Sequence, residues 1–204
     1  MEKFFRLPLE KQNIIIDAAL KCFGTNGYKK SSISDISTAA GISKAMIFHY
    51  FGTKKAFYFY LIDLCGNTLI NEIEKRFDYT ITDFFDRIKL SSNIEMSVMK
   101  KHPGIPSFLT SMYFEKDEEV KEDIKAVLAK GEDIRNKIAF EGMDTSKFKE
   151  GIDPKLVMKM LLWLTDGYVN QLSSKAKLDY DGLFDEFDEC LNLLKNNFYK
   201  EEQL

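Results

Sequence analysis

The 204-residue sequence is 45% hydrophobic and 30% charged, a composition that supports a folded core and excludes an intrinsically disordered chain. Its three cysteines, Cys22, Cys65 and Cys190, are odd in number and widely spaced. This pattern favours buried thiols in a reducing compartment over disulfides or a zinc site. No stretch approaches the roughly 18 uninterrupted apolar residues of a membrane span. We therefore expect a soluble, cytoplasmic protein with no membrane partner and no bound metal or cofactor.

The net charge of −3 conceals a division along the chain. Residues 1–60 carry nine basic and four acidic side chains, a balance of +5, and the remaining residues have a balance of −8. A basic head on an acidic body is typical of a protein in which only the head approaches a polyanion. The alternative is that the charges segregate by chance.

The apolar residues recur at helical spacing nearly everywhere, which predicts an all-α fold. A first helix is predicted over residues 9–26 and ends at Gly27. Two short helices follow, around residues 33–40 and 43–51, with a turn at Gly41 between them. Six more are predicted at residues 54–76, 83–101, 107–114, 118–141, 154–172 and 180–199. The sequence thus predicts about nine helices.

The two short helices have the arrangement of a helix-turn-helix, whose second helix enters the DNA major groove. Ser32 or Ser34 is expected to cap the first, and Ser43 the second. On a helical wheel of the second helix, Ile47 and Phe51 form the packed side. The opposite side carries Ala45, Met46 and His49, with Lys44, Phe48 and Tyr50 on its flanks. A small residue surrounded by hydrogen-bonding and flat side chains is suited to reading base edges.

The next predicted helix begins with Thr53 as its cap, followed by Lys54 and Lys55. Backbone N–H groups at a helix start attract anions, so two cations there are unfavourable unless a phosphate arrives. This conflict between local stability and sequence indicates a contact with DNA phosphates.

The stretch "IIIDAALKCFGTNGYKKSSISDISTAAGISKAMIFHYFGTKKAF" resembles the DNA-binding domain of the tetracycline-repressor (TetR) family over about residues 12–60. The resemblance implies that Lys44, Ala45, Met46, His49 and Tyr50 contact bases and phosphates, and that Thr53 and Lys54 hold backbone phosphate. Two positions depart from the family pattern. Phe48 stands where tyrosine is usual, and Lys55 stands where an acidic residue is common, which adds a predicted phosphate partner.

Several of these positions have a second interpretation. Phe48 either contacts DNA or packs on the following helix, and Ser32 and Ser34 either cap a helix alone or also bind phosphate. Tyr28 is expected to be a core residue between the first two helices and not a DNA contact.

The acidic body is predicted to bind an effector and to dimerise. Eight residues with aromatic, apolar or polarisable side chains, chosen also by their position in the chain, are predicted to form a largely apolar effector pocket. Its predicted residues are Cys65, Leu69, Phe108, Met112, Tyr113, Ile134, Trp163 and Tyr168. The last two helices are broadly apolar and are expected to pair across a twofold axis, as the resemblance also implies. The predicted interface residues are Leu164, Gly167, Leu183, Phe187, Leu191 and Leu194.

Together these features predict a helix-turn-helix DNA-binding domain at residues 1–53 and a helical effector-binding and dimerisation domain at residues 54–204. The predicted function is a ligand-responsive repressor that binds a palindromic DNA operator as a homodimer and is released by a small effector. A transcriptional activator of the same fold, or a helical protein-interaction module without specific DNA binding, are the alternatives. Because the sequence has no phosphate loop, nucleophile elbow or clustered His and carboxylates, we do not expect an enzyme.

Overall fold

The computed structural model describes residues 1–173 and 180–203, and for residues 168–173, 180, 181 and 183 it describes the backbone alone. The described part of the chain is helical and contains no strand, which confirms the all-α prediction. The ten helices are α1 (Glu2–Phe5), α2 (Leu9–Lys30), α3 (Ile33–Ala39), α4 (Lys44–Phe51), α5 (Lys54–Arg76), α6 (Phe84–Lys101), α7 (Gly104–Tyr113), α8 (Lys121–Phe140), α9 (Pro154–Ser173) and α10 (Tyr180–Phe198).

The first helix, α1, is absent from the sequence prediction because four residues are too few to show helical periodicity. It nevertheless buries Phe4 completely. The Phe4 ring lies 4.8 Å from the Phe51 ring, 5.7 Å from Tyr60 and 5.9 Å from Tyr50, measured between ring centres. The N-terminal segment therefore completes the core behind α4.

The first helix predicted from the sequence corresponds to α2, and its predicted end at Gly27 is a kink within that helix. Gly27 adopts φ 72° and ψ 175°, a conformation that breaks the helix and that glycine adopts without steric strain. One more helical turn follows, through Lys30. The single Ser31 hydroxyl hydrogen is shared between the carbonyl oxygens of Gly27, 2.6 Å from Oγ, and Cys22, 3.0 Å from Oγ, and this bonding supports the kink.

The described chain forms two compact units. Unit 1 comprises Met1–Arg76 and Ile94–Glu132, and unit 2 comprises Phe77–Asn93 and Asp133–Leu204. These units group residues by packing. They do not test the functional division at residues 53 and 54, which stays a prediction.

In unit 1, α2 and α7 pack closely at Gly24. A Cβ atom at this position would lie 2.7 Å from Ser107 Oγ and 3.0 Å from the backbone nitrogen of Phe108, so the crossing requires glycine. Around it, Phe23, Tyr58 and Phe108 form an aromatic core with ring centres 5.0 to 6.4 Å apart. This core joins the kinked helix of the basic head to α5 and α7.

In unit 2, the core is built from aromatic rings and one buried cation. The Phe85 and Phe148 rings lie 5.2 and 4.8 Å from Tyr199. Arg87 is fully buried, and its Nε donates to the carbonyl of Ile138 at 2.7 Å, near the C-terminal end of α8. This burial lowers the pKa of the Arg87 guanidinium. None of the helices in the described ranges has the length and apolar character needed to cross a membrane.

Candidate nucleic-acid interface

The turn between α3 and α4 is held by short polar side chains. Ser32 Oγ accepts from the backbone N–H of Ser34 at 3.1 Å, and Ser43 Oγ accepts from the N–H of Met46 at 3.3 Å. Gly41 takes φ 66° in the turn. Serine caps satisfy N–H groups that a helix start leaves without partners. The structure confirms Ser32 and Ser43 as caps, and it leaves the Ser34 side chain exposed.

The buried side of α4 is formed by Ile47 and Phe51, as the wheel predicts. The Phe51 ring stacks on Phe57 of α5 with ring centres 3.9 Å apart. The prediction that Tyr50 lies on a flank of the free face is wrong. Tyr50 is only 5% exposed and packs beside Phe4, a residue that the helical wheel of α4 cannot include.

The exposed side of α4 carries the other five predicted recognition residues. They are Lys44, Ala45, Met46, Phe48 and His49. Phe48 is 39% exposed, and the Lys44 ammonium lies 6.0 Å from the centre of its ring. This surface offers a cation, an imidazole and apolar groups around one small residue, which is chemistry suited to base edges and thymine methyl groups.

The start of α5 lies in unit 1, which also contains α4. Thr53 Oγ1 accepts from the N–H of Ala56 at 3.0 Å, so the predicted cap is confirmed. The Lys54 ammonium lies 4.5 Å from the centre of the Tyr28 ring and donates to the carbonyl of Lys29 at 3.4 Å. Tyr28 itself is 2% exposed, which confirms it as a core residue. Lys55, in contrast, is engaged with carboxyl and carbonyl groups of the body.

The predicted effector residues of unit 1 are mostly core residues. Cys65, Phe108 and Met112 are buried, Leu69 is half-buried and Tyr113 is 42% exposed. Burial raises the pKa of the Cys65 thiol to about 12, so it is an inert apolar group. A polar cavity of about 320 Å³ in this unit includes none of them. It is lined by Thr68, Asn71, Glu72, Lys75, Val98, Lys101 and His102.

The remaining predicted effector residues lie in unit 2. Ile134 is half-buried, and the side chain of Tyr168 lies outside the described residues. Trp163 is 57% exposed, with the Lys159 ammonium 5.0 Å from the centre of its ring. In a single chain Trp163 is therefore a surface residue and does not line an enclosed pocket.

The predicted dimer residues separate into surface and core. Leu164 is 37% exposed, and a Cβ built on Gly167 would meet no atom of the described residues within 4 Å, apart from its chain neighbours and its own helix backbone. Phe187 and Leu194 are partly buried against the core of unit 2. Leu191 is only 2% exposed, so its predicted place on a free face is wrong: it packs within its own chain. The side chain of Leu183 lies outside the described residues.

Two exposed leucines on α9 and α10 are missing from the predicted dimer interface. Leu156 is 53% exposed and Leu193 is 64% exposed. Helical periodicity places Leu156 on the apolar stripe of α9, but it does not show which edge of that stripe a neighbouring helix covers. Leu193 lies outside the apolar stripe of α10, on the side opposite Leu191. Among the described residues, no group of three or more His, Cys, Asp and Glu side chains is placed to hold a metal ion.

Residues 15–61, which contain this helix-turn-helix, match the family described as "Bacterial regulatory proteins, tetR family". A relative, the fatty acid metabolism regulator protein of Bacillus subtilis (strain 168), is 24% identical over 152 residues, or 74% of this chain and 78% of the relative.

Two solved structures share the fold. SmeT, the repressor of the Stenotrophomonas maltophilia multidrug efflux pump SmeDEF, aligns with a TM-score of 0.70 at 15% identity, covering 98% of this chain and 95% of SmeT. The regulator FadR from Bacillus subtilis, solved in complex with stearoyl-CoA, aligns with a TM-score of 0.62 at 21% identity, covering 91% and 94% of the two chains. Since the family match falls on the helix-turn-helix, residues 15–61 form a helix-turn-helix domain of the tetR family of bacterial regulatory proteins, and the fold shared with these two structures extends over nearly the whole chain.

Proposed function

We propose that this protein is a cytoplasmic, sequence-specific repressor that binds a palindromic DNA operator as a homodimer and is released by a small effector. The observation that supports this function is the exposed face of α4, where Lys44, Ala45 and His49 stand outward on a helix whose other side is fixed in a core. The charge balance of +5 over residues 1–60 adds the sequence-independent attraction to DNA. In this proposal residues 1–53 bind DNA, and residues 54–204 bind the effector and dimerise.

The proposed dimer interface is the surface of α9 and α10. Leu156, Trp163, Leu164 and Leu193 are between 37% and 64% exposed. Gly167, beside which the described residues outside its own helix leave open space, permits a close approach of another helix. Large apolar side chains grouped on two helices favour burial against another surface. Twofold symmetry would then present two α4 helices to two half-sites of a palindrome.

The proposed effector carries an apolar chain. The predicted pocket residues of unit 1, such as Phe108 and Met112, are apolar. The FadR neighbour was solved with stearoyl-CoA, and the Bacillus subtilis relative is a fatty acid metabolism regulator. We therefore take a long-chain acyl thioester as the first effector to test. The effector would act by favouring one of two arrangements of the DNA-binding heads, and α5 is suited to transmit the change because it begins at Lys54.

The function is tested by selecting DNA fragments on the purified protein and titrating the best one at two salt concentrations. We expect a palindromic fragment that binds two chains per site. Each phosphate contact should contribute about 0.9 to the slope of log affinity against log salt. Failure to enrich any sequence, with protein free of bound ligand, would contradict the proposal and favour a protein-interaction module.

The effector is tested on the protein–DNA complex from that selection. Adding stearoyl-CoA is expected to release the DNA, whereas coenzyme A alone is expected to leave it bound, because only the thioester supplies an apolar chain to bury. Fluorescence anisotropy of the labelled fragment measures both. Equal release by the two compounds would instead assign the effect to the charged nucleotide portion.

A further inference from the structure

A strongly acidic segment lies beside the DNA-binding head within unit 1. Residues 115–123 contain six carboxylates and two lysines, a balance of −4, and connect α7 to the first turn of α8. We call these residues the acidic segment. Their charge is opposite to that of the head and the same as that of DNA, so their position affects how the head meets a phosphate backbone.

The acidic segment bonds directly to two lysines of the head. Lys55 Nζ lies 2.7 Å from Asp123 Oδ2 and donates to the Glu119 carbonyl, also at 2.7 Å. Lys29 Nζ lies 4.0 Å from Asp117 Oδ2. Lys55 is the residue predicted as an additional phosphate contact, and here its ammonium is occupied by groups of the body.

The backbone of the acidic segment is held in place by hydrogen bonds and by a buried side chain. The Glu115 carboxylate accepts from the backbone N–H of Tyr28 at 2.6 Å, just after the kink at Gly27. Its other oxygen accepts from the N–H groups of Lys116 and Asp117, both at 2.9 Å. Val120, in the middle of the segment, is fully buried. The carboxylates are therefore held in place next to the head before DNA arrives.

We propose that Asp123 and Asp117 compete with DNA phosphates for Lys55 and Lys29, so that the acidic segment lowers the affinity of the head for DNA. This inference rests on the proposed function as a DNA-binding regulator. On binding, the ammonium groups exchange carboxylates of the protein for phosphates of the operator. The side chains of Lys55 and Asp123 are 38% and 57% exposed, which leaves the pair accessible to a competing anion.

The expected change in DNA affinity on releasing Lys55 is small. Partly exposed ion pairs contribute little to stability, so releasing Lys55 should tighten DNA binding by about two- to five-fold. In the unmodified complex Lys55 is shared between Asp123 and phosphate, whereas in the variant it is free for phosphate, so the slope of log affinity against log salt should steepen by at most about 0.9.

The test measures operator affinity against salt for the full chain and three single variants, Asp123→Asn, Glu118→Gln and Lys55→Gln, and for the double variant Asp123→Asn with Lys55→Gln. Glu118 is the matched control because it belongs to the same segment, but its carboxylate pairs with Lys121 at 2.6 Å. We expect Asp123→Asn to tighten binding and steepen the slope, and Glu118→Gln to leave the slope unchanged. In the Lys55→Gln background, Asp123→Asn should have much less effect.

Two results would overturn the inference. Equal effects of Asp123→Asn and Glu118→Gln would show that only the overall negative charge acts on DNA. An undiminished effect of Asp123→Asn when Lys55 is absent would show that Asp123 does not act through this lysine. Absence of specific binding by the unmodified protein is a different outcome, since it contradicts the proposed function itself.

Discussion

Replacing Phe4 with alanine is expected to lower the free energy of unfolding by about 3–5 kcal/mol, the range for removing a fully buried phenylalanine. The ring is completely buried and lies within 6 Å of Tyr50, Phe51 and Tyr60, measured between ring centres. Truncation leaves a cavity behind α4, because two of these partners belong to that helix. The same variant should therefore also weaken operator binding.

Phe5→Ala is the matched control for this prediction. Phe5 is the adjacent residue, has the same side chain and belongs to the same four-residue helix, but it is 56% exposed. Its removal should change stability by less than about 1 kcal/mol, as is usual for a surface site. Denaturant unfolding followed by circular dichroism measures both variants. A loss below about 1 kcal/mol for Phe4→Ala, as small as that expected for Phe5→Ala, would mean that the Phe4 ring does not stabilise the core behind α4.

Phe4 also marks a limit of what the sequence reveals. The capping serines and the packed side of α4 follow from local rules, because Ser43, Ile47 and Phe51 act within one or two turns of the chain. Tyr50 is buried by Phe4, which lies in a helix too short to have a periodic signal. Its burial therefore depends on a contact that no local pattern contains.

The lysines at the start of α5 illustrate the same limit for charge. The sequence predicts that the two cations at this helix start meet a DNA phosphate. It cannot show that Lys55 already has partners within the chain, because it bonds to the carbonyl of a residue 64 positions away and pairs with Asp123. Likewise, Leu191 and Leu193 lie on opposite sides of α10, and tertiary packing determines that Leu191 is buried and Leu193 exposed.

Ala45 provides the most direct test of the exposed face of α4. Ala45→Asp is expected to weaken operator binding by about 100-fold or more, because a carboxylate placed against the DNA backbone and base edges meets like charge at a site that loses water. Ala45→Asn separates charge from size: it adds nearly the same volume without the charge and should reduce affinity less. Fluorescence anisotropy with the selected operator measures the three proteins.

Unfolding is not expected to explain that loss. Ala45 is exposed and lies in the first turn of α4, where no acidic residue is present and where a negative charge interacts favourably with the helix dipole. Ala45→Asp should therefore keep or slightly raise the unfolding temperature while DNA binding falls. Asn13→Asp adds the same charge at an exposed position of α2 and controls for the general reduction in positive charge. If Asn13→Asp weakened binding as much as Ala45→Asp, the head would attract DNA through its net charge alone, and α4 would have no special role in reading the operator.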